Sequence, residues 1–162
     1  MNHNALLDEM IRYEAGVPGR IQHLLKVHAF SKLIGEEEGL DEETLATLEA
    51  ASIVHDIGIK PALEKYGSSA GPYQEKEGAP VAREMLTRLG YDEKRAERVA
   101  FLVGHHHTYT ATHGPDYQIL VEADFLVNLY ENGDSKEEAL SVREKIFKTE
   151  AGKKILNNMF EI

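Results

Sequence analysis

The sequence predicts an all-α protein, a compact single-domain bundle of about six to eight helices. Apolar residues recur at helical spacing along most of the 162 residues, and Gly or Pro separates one periodic segment from the next. The chain has no alternating apolar–polar run of useful length for a strand, and no internal repeat. Because this length suits one ordinary domain and is too short for two, we expect residues 1–162 to form a single domain.

The first half of the chain contains three predicted helices. A short one covers residues 3–15. A second covers residues 20–38, and its apolar residues lie on two stripes, which is typical of a central, buried helix. Asp41 is the expected N-cap of a third helix, which stops at Gly58. Residues 57–77 are then predicted to form a long polar loop, of the kind that often serves as a lid or a binding loop.

Three more helices are predicted in the second half, before a C-terminal segment. The fourth covers residues 78–89, the fifth begins at the N-cap Asp92 and ends at Gly104, and the sixth covers residues 117–131. Each is bounded by a turn or capping signal.

The last segment, residues 135–162, is predicted to form one or two C-terminal helices. It opens with Ser135-Lys136-Glu137-Glu138, which fits a capping box. Its apolar residues, such as Phe147, Leu156 and Phe160, have two interpretations. They close the core, which we favour, or they form an interface that would make the chain a homodimer.

Composition excludes several classes of protein. The chain carries 28 acidic and 18 basic residues, a formal net charge of −10. Nucleic-acid binding depends on basic patches that release counterions, so we expect no stable complex with a nucleic-acid duplex. Phosphate chemistry would need a locally concentrated cation, and a metal ion is the most economical one. The absence of cysteine excludes disulfides, thiolate metal sites and cysteine nucleophiles.

Targeting signals are also missing from the sequence. No segment approaches the ~18 uninterrupted apolar residues of a membrane span. The first residues, MNHNALLDEM, lack the basic and apolar regions of a secretory signal. We therefore expect a cytoplasmic protein with no membrane partner.

Four polar residues lie where the helical pattern calls for core residues. His23 lies on an apolar stripe of the second helix, His55 and Asp56 end the third, and Asp124 interrupts the apolar run of the sixth. Singly, each has an ordinary structural explanation, such as a hydrogen bond or an ion pair. A buried carboxylate must be paired, protonated or bound to a metal, since an unpaired one is strongly destabilising. Two imidazoles and two carboxylates together suit a transition metal with open positions for water and substrate.

The order of these residues is recognisable. Arg20-x-x-His23 is followed by Val54-His55-Asp56-Ile57-Gly58 and then by Ala123-Asp124, all in a helical context. The set resembles the HD-domain superfamily of metal-dependent phosphohydrolases, over roughly residues 20–130. The resemblance implies that one divalent metal, from among Mn, Fe, Co, Ni, Zn and Mg, is bound by His23, His55, Asp56 and Asp124.

Some members of that superfamily, including the HD-GYP phosphodiesterases and hydrolases of dinucleoside polyphosphates, bind a second metal through additional histidines. One such position, four residues before Gly78-Ala79, holds Gln74 here, a poor metal ligand. The others match His106 and His107 best, within the run that begins at His105. We expect one or two of the three to face the site and the rest to face solvent or substrate. We favour one metal over two; the alternative is a weak second site completed by His106, His107 and water.

The resemblance also implies roles for residues around the metal. Asp56 would bind the metal through one oxygen and orient the attacking water with the other. Arg20 is a candidate phosphate clamp, and its alternative is a salt bridge to one of the Asp ligands. A catalytic lysine often stands three residues after the Asp of the motif, but Ile59 occupies that position. Lys60, one residue later, either reaches the substrate phosphate or is an ordinary surface residue.

Two further groups of residues near the site have open roles. Glu75 and Glu77 either replace the missing histidine as ligand or base, or are solvated charges in the loop. One histidine of the run 105–107 is a candidate to protonate the leaving oxygen, because imidazole titrates near neutral pH.

The predicted function is hydrolysis of a phosphate ester or anhydride by metal-activated water. The expected substrate is a small phosphorylated metabolite, in particular a nucleotide or dinucleotide. One alternative is a catalytically weak or inactive sensor that binds metal and nucleotide, which the missing lysine mildly favours. The other is an interaction module in which the His and Asp residues form a buried hydrogen-bond network.

Overall fold

The computed structural model of the protein describes residues 2–162. Within that range the chain forms nine α-helices and no strand, which confirms the predicted fold class. Over the same residues, no helix combines the length and the apolar character needed to cross a membrane. The helices are α1 (Asn4–Tyr13), α2 (Pro18–Glu37), α3 (Glu42–Val54), α4 (Ile59–Tyr66), α5 (Gly71–Arg88), α6 (Glu93–Val103), α7 (Pro115–Glu131), α8 (Lys136–Lys145) and α9 (Glu150–Phe160).

The central helices are α2, α3 and α7, each of which packs against the other two. Helix α6 extends this group by packing against α3, and α5 packs against α6. Burying a large apolar side chain contributes about 1.5–3 kcal/mol, so these contacts carry much of the stability. Side chains with no exposed surface in this core include Leu24, Val27, Leu48, Ile53 and Leu120.

Side-chain caps fix where several helices begin. The carboxylate of Asp41 accepts a hydrogen bond from the backbone N–H of Thr44 at 2.8 Å, and Asp92 accepts one from the N–H of Arg95 at 2.9 Å. The hydroxyl of Ser135 accepts one from the N–H of Glu138 at 3.2 Å. These contacts confirm all three predicted N-caps.

The predicted loop over residues 57–77 is wrong, because most of it is helical. Helix α4 covers Ile59–Tyr66, and α5 begins at Gly71 rather than at residue 78. Ala62 is the one buried residue within α4, so the segment has too few core positions to show a helical apolar pattern. Pro61 and Pro72 lie in the first turns of these helices, where their missing N–H costs no hydrogen bond.

A close backbone contact joins the start of α4 to the middle of α5. A Cβ atom on Gly58 would overlap the carbonyl oxygen of Gln74 and lie 2.7 Å from the backbone nitrogen of Gly78. A Cβ atom on Gly78 would lie 2.9 Å from a methyl carbon of Val103. Two glycines therefore allow the chain just after Asp56 to lie directly on α5.

The C-terminal segment closes the core. Phe147 and Leu156 are buried, whereas Phe160 is only partly buried. Among these apolar residues, the two buried ones support the core interpretation over the dimer interface. Glu122, fully buried on α7, accepts hydrogen bonds from the backbone N–H groups of Lys148 and Thr149 at 3.0 and 3.1 Å, which ties α9 to the central helices.

Candidate metal centre

Four ligand-type atoms converge between the central helices. Nε2 of His23 lies 3.1 Å from Oδ2 of Asp56 and 3.1 Å from Oδ1 of Asp124. Nε2 of His55 lies 3.2 Å from that of His23, and 3.5 and 3.3 Å from the same two carboxylate oxygens. With metal–ligand bonds of about 2.1 Å, neighbouring ligand atoms lie about 3.0 Å apart in octahedral geometry and about 3.4 Å apart in tetrahedral geometry. The four atoms therefore have the spacing that one small divalent cation requires.

The packing of the helices explains why these side chains meet. His23 lies on α2, His55 and Asp56 follow the last residue of α3, and Asp124 lies on α7. All four residues are buried. Since α2, α3 and α7 pack against one another, their inward-facing polar residues share one point in the core.

Hydrogen bonding determines which way His55 presents its lone pair. Its Nδ1 lies 2.7 Å from the backbone carbonyl oxygen of Ser52, which can only accept, so Nδ1 carries the proton. In neutral imidazole, Nε2 then has a free lone pair, and this lone pair faces the oxygens of Asp56 and Asp124. Electron-rich atoms that face one another favour a positive charge at their centre, either a proton or a bound cation.

The electrostatics of the cluster lead to the same conclusion. Burial alone would raise the pKa of Asp56 and of Asp124, but the positive charge of the nearby imidazoles when protonated, above all that of His55, holds both pKa values well below the usual range. Burial alone would lower the pKa of His23, but its hydrogen bonds to the two carboxylates raise that pKa to about 11. The cluster thus requires positive charge, which a proton on His23 supplies when no metal ion is bound.

A second group of polar side chains adjoins the first through Asp56. The other oxygen of Asp56, Oδ1, lies 3.1 Å from Nε2 of His106. Nδ1 of His106 donates to the carbonyl oxygen of Val103 at 2.7 Å, which turns Nε2 toward the carboxylate. Ligand-type atoms of His107 lie close enough to complete a group of three with these two residues.

A hydrogen bond with Gln74 determines which ring nitrogen of His107 carries the proton. The side-chain amide nitrogen of Gln74 donates to the carbonyl oxygen of Ser69 at 2.7 Å, so its oxygen faces Nε2 of His107 at 3.0 Å. Burial, together with the neighbouring His106, lowers the pKa of His107 to about 4, so the ring is neutral near pH 7. Nε2 therefore carries the single ring proton and donates it to Gln74. In this arrangement Nε2 of His107 has no lone pair for a metal.

His105 lies outside both groups of ligand-type atoms, and a contact between His105 and a substrate phosphate stays a prediction. Its Nδ1 donates to the carbonyl oxygen of Phe101 at 2.7 Å, and its ring stacks on that of Phe101 with 4.1 Å between centroids. The three histidines lie in the turn that follows α6, and their rings point in different directions: His106 and His107 face the cluster, whereas His105 does not.

Arg20 has a partner that neither sequence interpretation named. Its Nε donates to Oε2 of Glu14 at 2.6 Å, and Glu14 is a buried residue at the end of α1. Arg20 forms no salt bridge to Asp56 or Asp124 in the described part of the chain. Burial raises the pKa of Glu14, although Arg20 opposes that shift. The pair keeps the guanidinium one helical turn from His23.

Three other candidates make contacts with neighbouring segments. Nζ of Lys60 donates to the backbone carbonyl of Tyr13 at 3.3 Å and lies 4.9 Å from the centroid of that ring. Glu75 accepts a hydrogen bond from the backbone N–H of His107 at 3.1 Å, and Glu77 accepts one from the hydroxyl of Tyr66 at 2.9 Å. The structure therefore gives Glu75 and Glu77 loop-anchoring contacts rather than contacts with the cluster.

Two residues beside the cluster were missed by the sequence analysis. Glu131 accepts a hydrogen bond from Nδ1 of His23 at 2.7 Å, and it lies at the end of α7, two turns after Asp124. Tyr109 is partly exposed, and burial together with the charges of Asp124 and Asp56 raises its pKa to about 12. The spacing of seven residues between Asp124 and Glu131 was the available signal for the first; Tyr109 lies in a loop, where no periodicity applies.

Comparisons with known proteins identify the family and the fold of the chain. The HD domain family matches residues 20–149 of the chain. The chain is also similar to the crystal structure of a predicted HD superfamily hydrolase from an uncultured Thermotogales bacterium, with 23% identity and a TM-score of 0.66. That alignment covers 96% of this chain and 84% of the other, and at this identity it shows a shared fold. No curated protein matches the chain.

Proposed function

The chain belongs to the HD domain family, and from this premise we propose that it is a metal-dependent phosphohydrolase. The observation that carries the proposal is the convergence of His23, His55, Asp56 and Asp124 at the spacing of one cation. A divalent ion bound there would polarise a phosphoryl oxygen and lower the pKa of a bound water. The reaction is attack of water on phosphorus and cleavage of the P–O bond to the leaving group.

The residues around the cluster support distinct roles in that reaction. Asp56 directs Oδ2 at the ligand cluster and Oδ1 at His106, so this carboxylate would hold the metal through one oxygen and orient the attacking water with the other. We infer that His106, whose Nε2 lies 3.1 Å from Oδ1 of Asp56, would hold the proton that the water releases. Arg20 is fixed through Nε by Glu14, and we infer that its terminal nitrogens would bind a phosphate oxygen.

We propose a small phosphorylated metabolite, in particular a nucleotide or dinucleotide, as the substrate. An aromatic surface beside the cluster supports this choice: the rings of Tyr109 and Phe125 lie 5.1 Å apart, and Tyr109 is 41% exposed. Such a surface suits a nucleobase, which has two apolar faces. The strongly acidic chain also favours a substrate whose charge is offset by a metal rather than by a basic patch.

The test of this function has two stages. Metal content is measured first on protein purified without a histidine tag. Phosphate release is then measured with added Mn²⁺ from a panel of nucleotides, dinucleotides and a small aryl phosphate. Metal-dependent turnover of any member supports the proposal, and absence of metal from the protein contradicts it.

A sensor that binds metal and nucleotide without turnover is the second candidate. Two observations favour it: Ile59 replaces the lysine expected three residues after Asp56, and Lys60 is engaged with Tyr13 rather than with the cluster. Tight nucleotide binding without phosphate release in the same panel would favour the sensor over the enzyme.

We propose one metal per chain, since Gln74 holds the Nε2–H of His107. Replacing Gln74 by His is therefore expected to raise the metal content from one to two ions per chain, because the new imidazole joins Asp56, His106 and His107. The measurement is metal stoichiometry by elemental analysis after dialysis against Mn²⁺.

The matched control for this prediction is Asn158→His, which adds a histidine on the exposed face of α9. It should leave the metal content at one. Two ions in the unmodified protein, or one ion in Gln74→His, would contradict the role assigned to Gln74.

A further inference from the structure

Glu131 occupies an unusual position for a carboxylate. It is the last residue of α7, where the helix dipole disfavours negative charge. One oxygen lies 2.7 Å from Nδ1 of His23, and the other accepts a hydrogen bond from Nζ of Lys26 at 2.8 Å. A carboxylate at this position does not stabilise α7. The contacts of Glu131 with His23 and Lys26 of α2 therefore explain why an acid stands there.

His23 and His55 of the cluster, and His106 of the adjoining group, are buried histidines. They differ in which acceptor binds the Nδ1 nitrogen, the one that faces away from the aspartate side chains. For His55 and His106, Nδ1 donates to a backbone carbonyl, that of Ser52 and that of Val103 respectively. Only His23, among these three, uses a side-chain carboxylate for this purpose. A carboxylate is a stronger acceptor than a carbonyl and carries a charge, so it increases the electron density of the ring more.

Helices α2 and α7 each contribute two residues to this arrangement. His23 and Lys26 lie three residues apart on α2, and Asp124 and Glu131 lie two turns apart on α7. Nε2 of His23 faces Asp124 while Nδ1 faces Glu131, so α7 contacts both nitrogens of one ring. The orientation of His23 is therefore set from the same helix that provides a ligand.

We propose that Glu131 is a positioning residue for the metal centre, acting through His23. By accepting the hydrogen bond from Nδ1, Glu131 fixes the ring so that Nε2, once it has lost its proton, directs its lone pair at the cluster and is a better donor. Lys26 fixes the second oxygen and prevents the carboxylate from turning to solvent. The inference rests on the proposed metal-binding function and extends it to a residue that touches neither metal nor substrate.

The test measures the affinity for Mn²⁺ by competition with a chelating dye. Glu131→Ala is expected to weaken Mn²⁺ binding by about 10–100-fold. Glu131→Gln keeps an acceptor oxygen without the charge, so it should lie between the unmodified protein and Glu131→Ala. A merely structural role would not produce this order.

The matched control is Glu37→Ala. Glu37 is also a partly exposed acid near a helix end, and it pairs with Lys154 at 3.1 Å without touching a ligand. Its side chain is 37% exposed, against 30% for Glu131. Glu37→Ala should bind Mn²⁺ as the unmodified protein does, and the melting temperatures of the two metal-free alanine variants should be similar.

The outcomes separate the two proposals. If the unmodified protein binds Mn²⁺ and Glu131→Ala binds it equally well, the positioning role is overturned while the metal centre stands. If the unmodified protein binds no Mn²⁺, the proposed function fails, and the role of Glu131 fails with it.

Discussion

Replacing His55 or Asp56 with alanine is expected to abolish metal binding and, with it, phosphate release. His55 provides a lone pair fixed by Ser52, and Asp56 provides an oxygen to each of the two adjoining groups. Loss of an outer partner of a ligand typically weakens metal binding by about 10–100-fold, so loss of a ligand should cost more than about 100-fold. Metal content and phosphate release, both measured at neutral pH, give the result.

His105→Ala is the matched control for these variants. It removes a histidine that is next to His106 in the sequence, but this ring stacks on Phe101 and contacts neither group of ligand-type atoms. It should retain metal and activity. Full metal content and full activity in His55→Ala or Asp56→Ala would refute the proposed function, and loss of both in His105→Ala as well would point to a general effect on folding.

Replacing Gly58 with alanine is expected to destabilise the fold by about 3 kcal/mol, because the added methyl group meets backbone rather than a movable side chain. The methyl would overlap the carbonyl of Gln74 and lie 2.7 Å from the nitrogen of Gly78. For a domain of this size, that loss lowers the melting temperature by roughly 6–12 °C. Because Asp56 lies two residues earlier, separation of α4 from α5 should weaken metal binding as well.

Gly19→Ala is the control for Gly58→Ala. Gly19 lies in the first turn of α2, and a Cβ atom there has nothing within 4 Å. Alanine is favoured over glycine in helices, so Gly19→Ala should be neutral or slightly stabilising. Thermal unfolding followed by circular dichroism measures both variants. Equal melting temperatures for Gly58→Ala and Gly19→Ala would show that the close contact between Gly58 and α5 does not contribute to the stability of the fold.

The family could be predicted from the sequence because the order and spacing of a few residues identify it. A histidine or carboxylate amid apolar residues is costly to bury, so His23, His55, Asp56 and Asp124 were conspicuous on helices predicted to be central. Asp41, Asp92 and Ser135 marked helix starts through a local bond between a side chain and the backbone three residues later. Such local interactions need no knowledge of the rest of the fold.

Helix α4 and the close contact between Gly58 and α5 could not be predicted from the sequence in the same way. Ala62 is the only buried residue within α4, so burial leaves almost no pattern there. Gly58 has a right-handed helical backbone conformation that any residue can adopt. Its need for glycine therefore comes from the approach of α5, a segment that begins 13 residues later in the chain.

The all-α class, the positions of most helices and the four residues that meet in the core could be predicted before the fold was known. The packing of the helices set three hydrogen-bond partners: Glu14 for Arg20, Glu131 for His23, and Gln74 for His107. Periodicity and capping act over one or two turns of a helix, whereas a hydrogen bond between residues 108 positions apart, as for His23 and Glu131, depends on how whole helices pack.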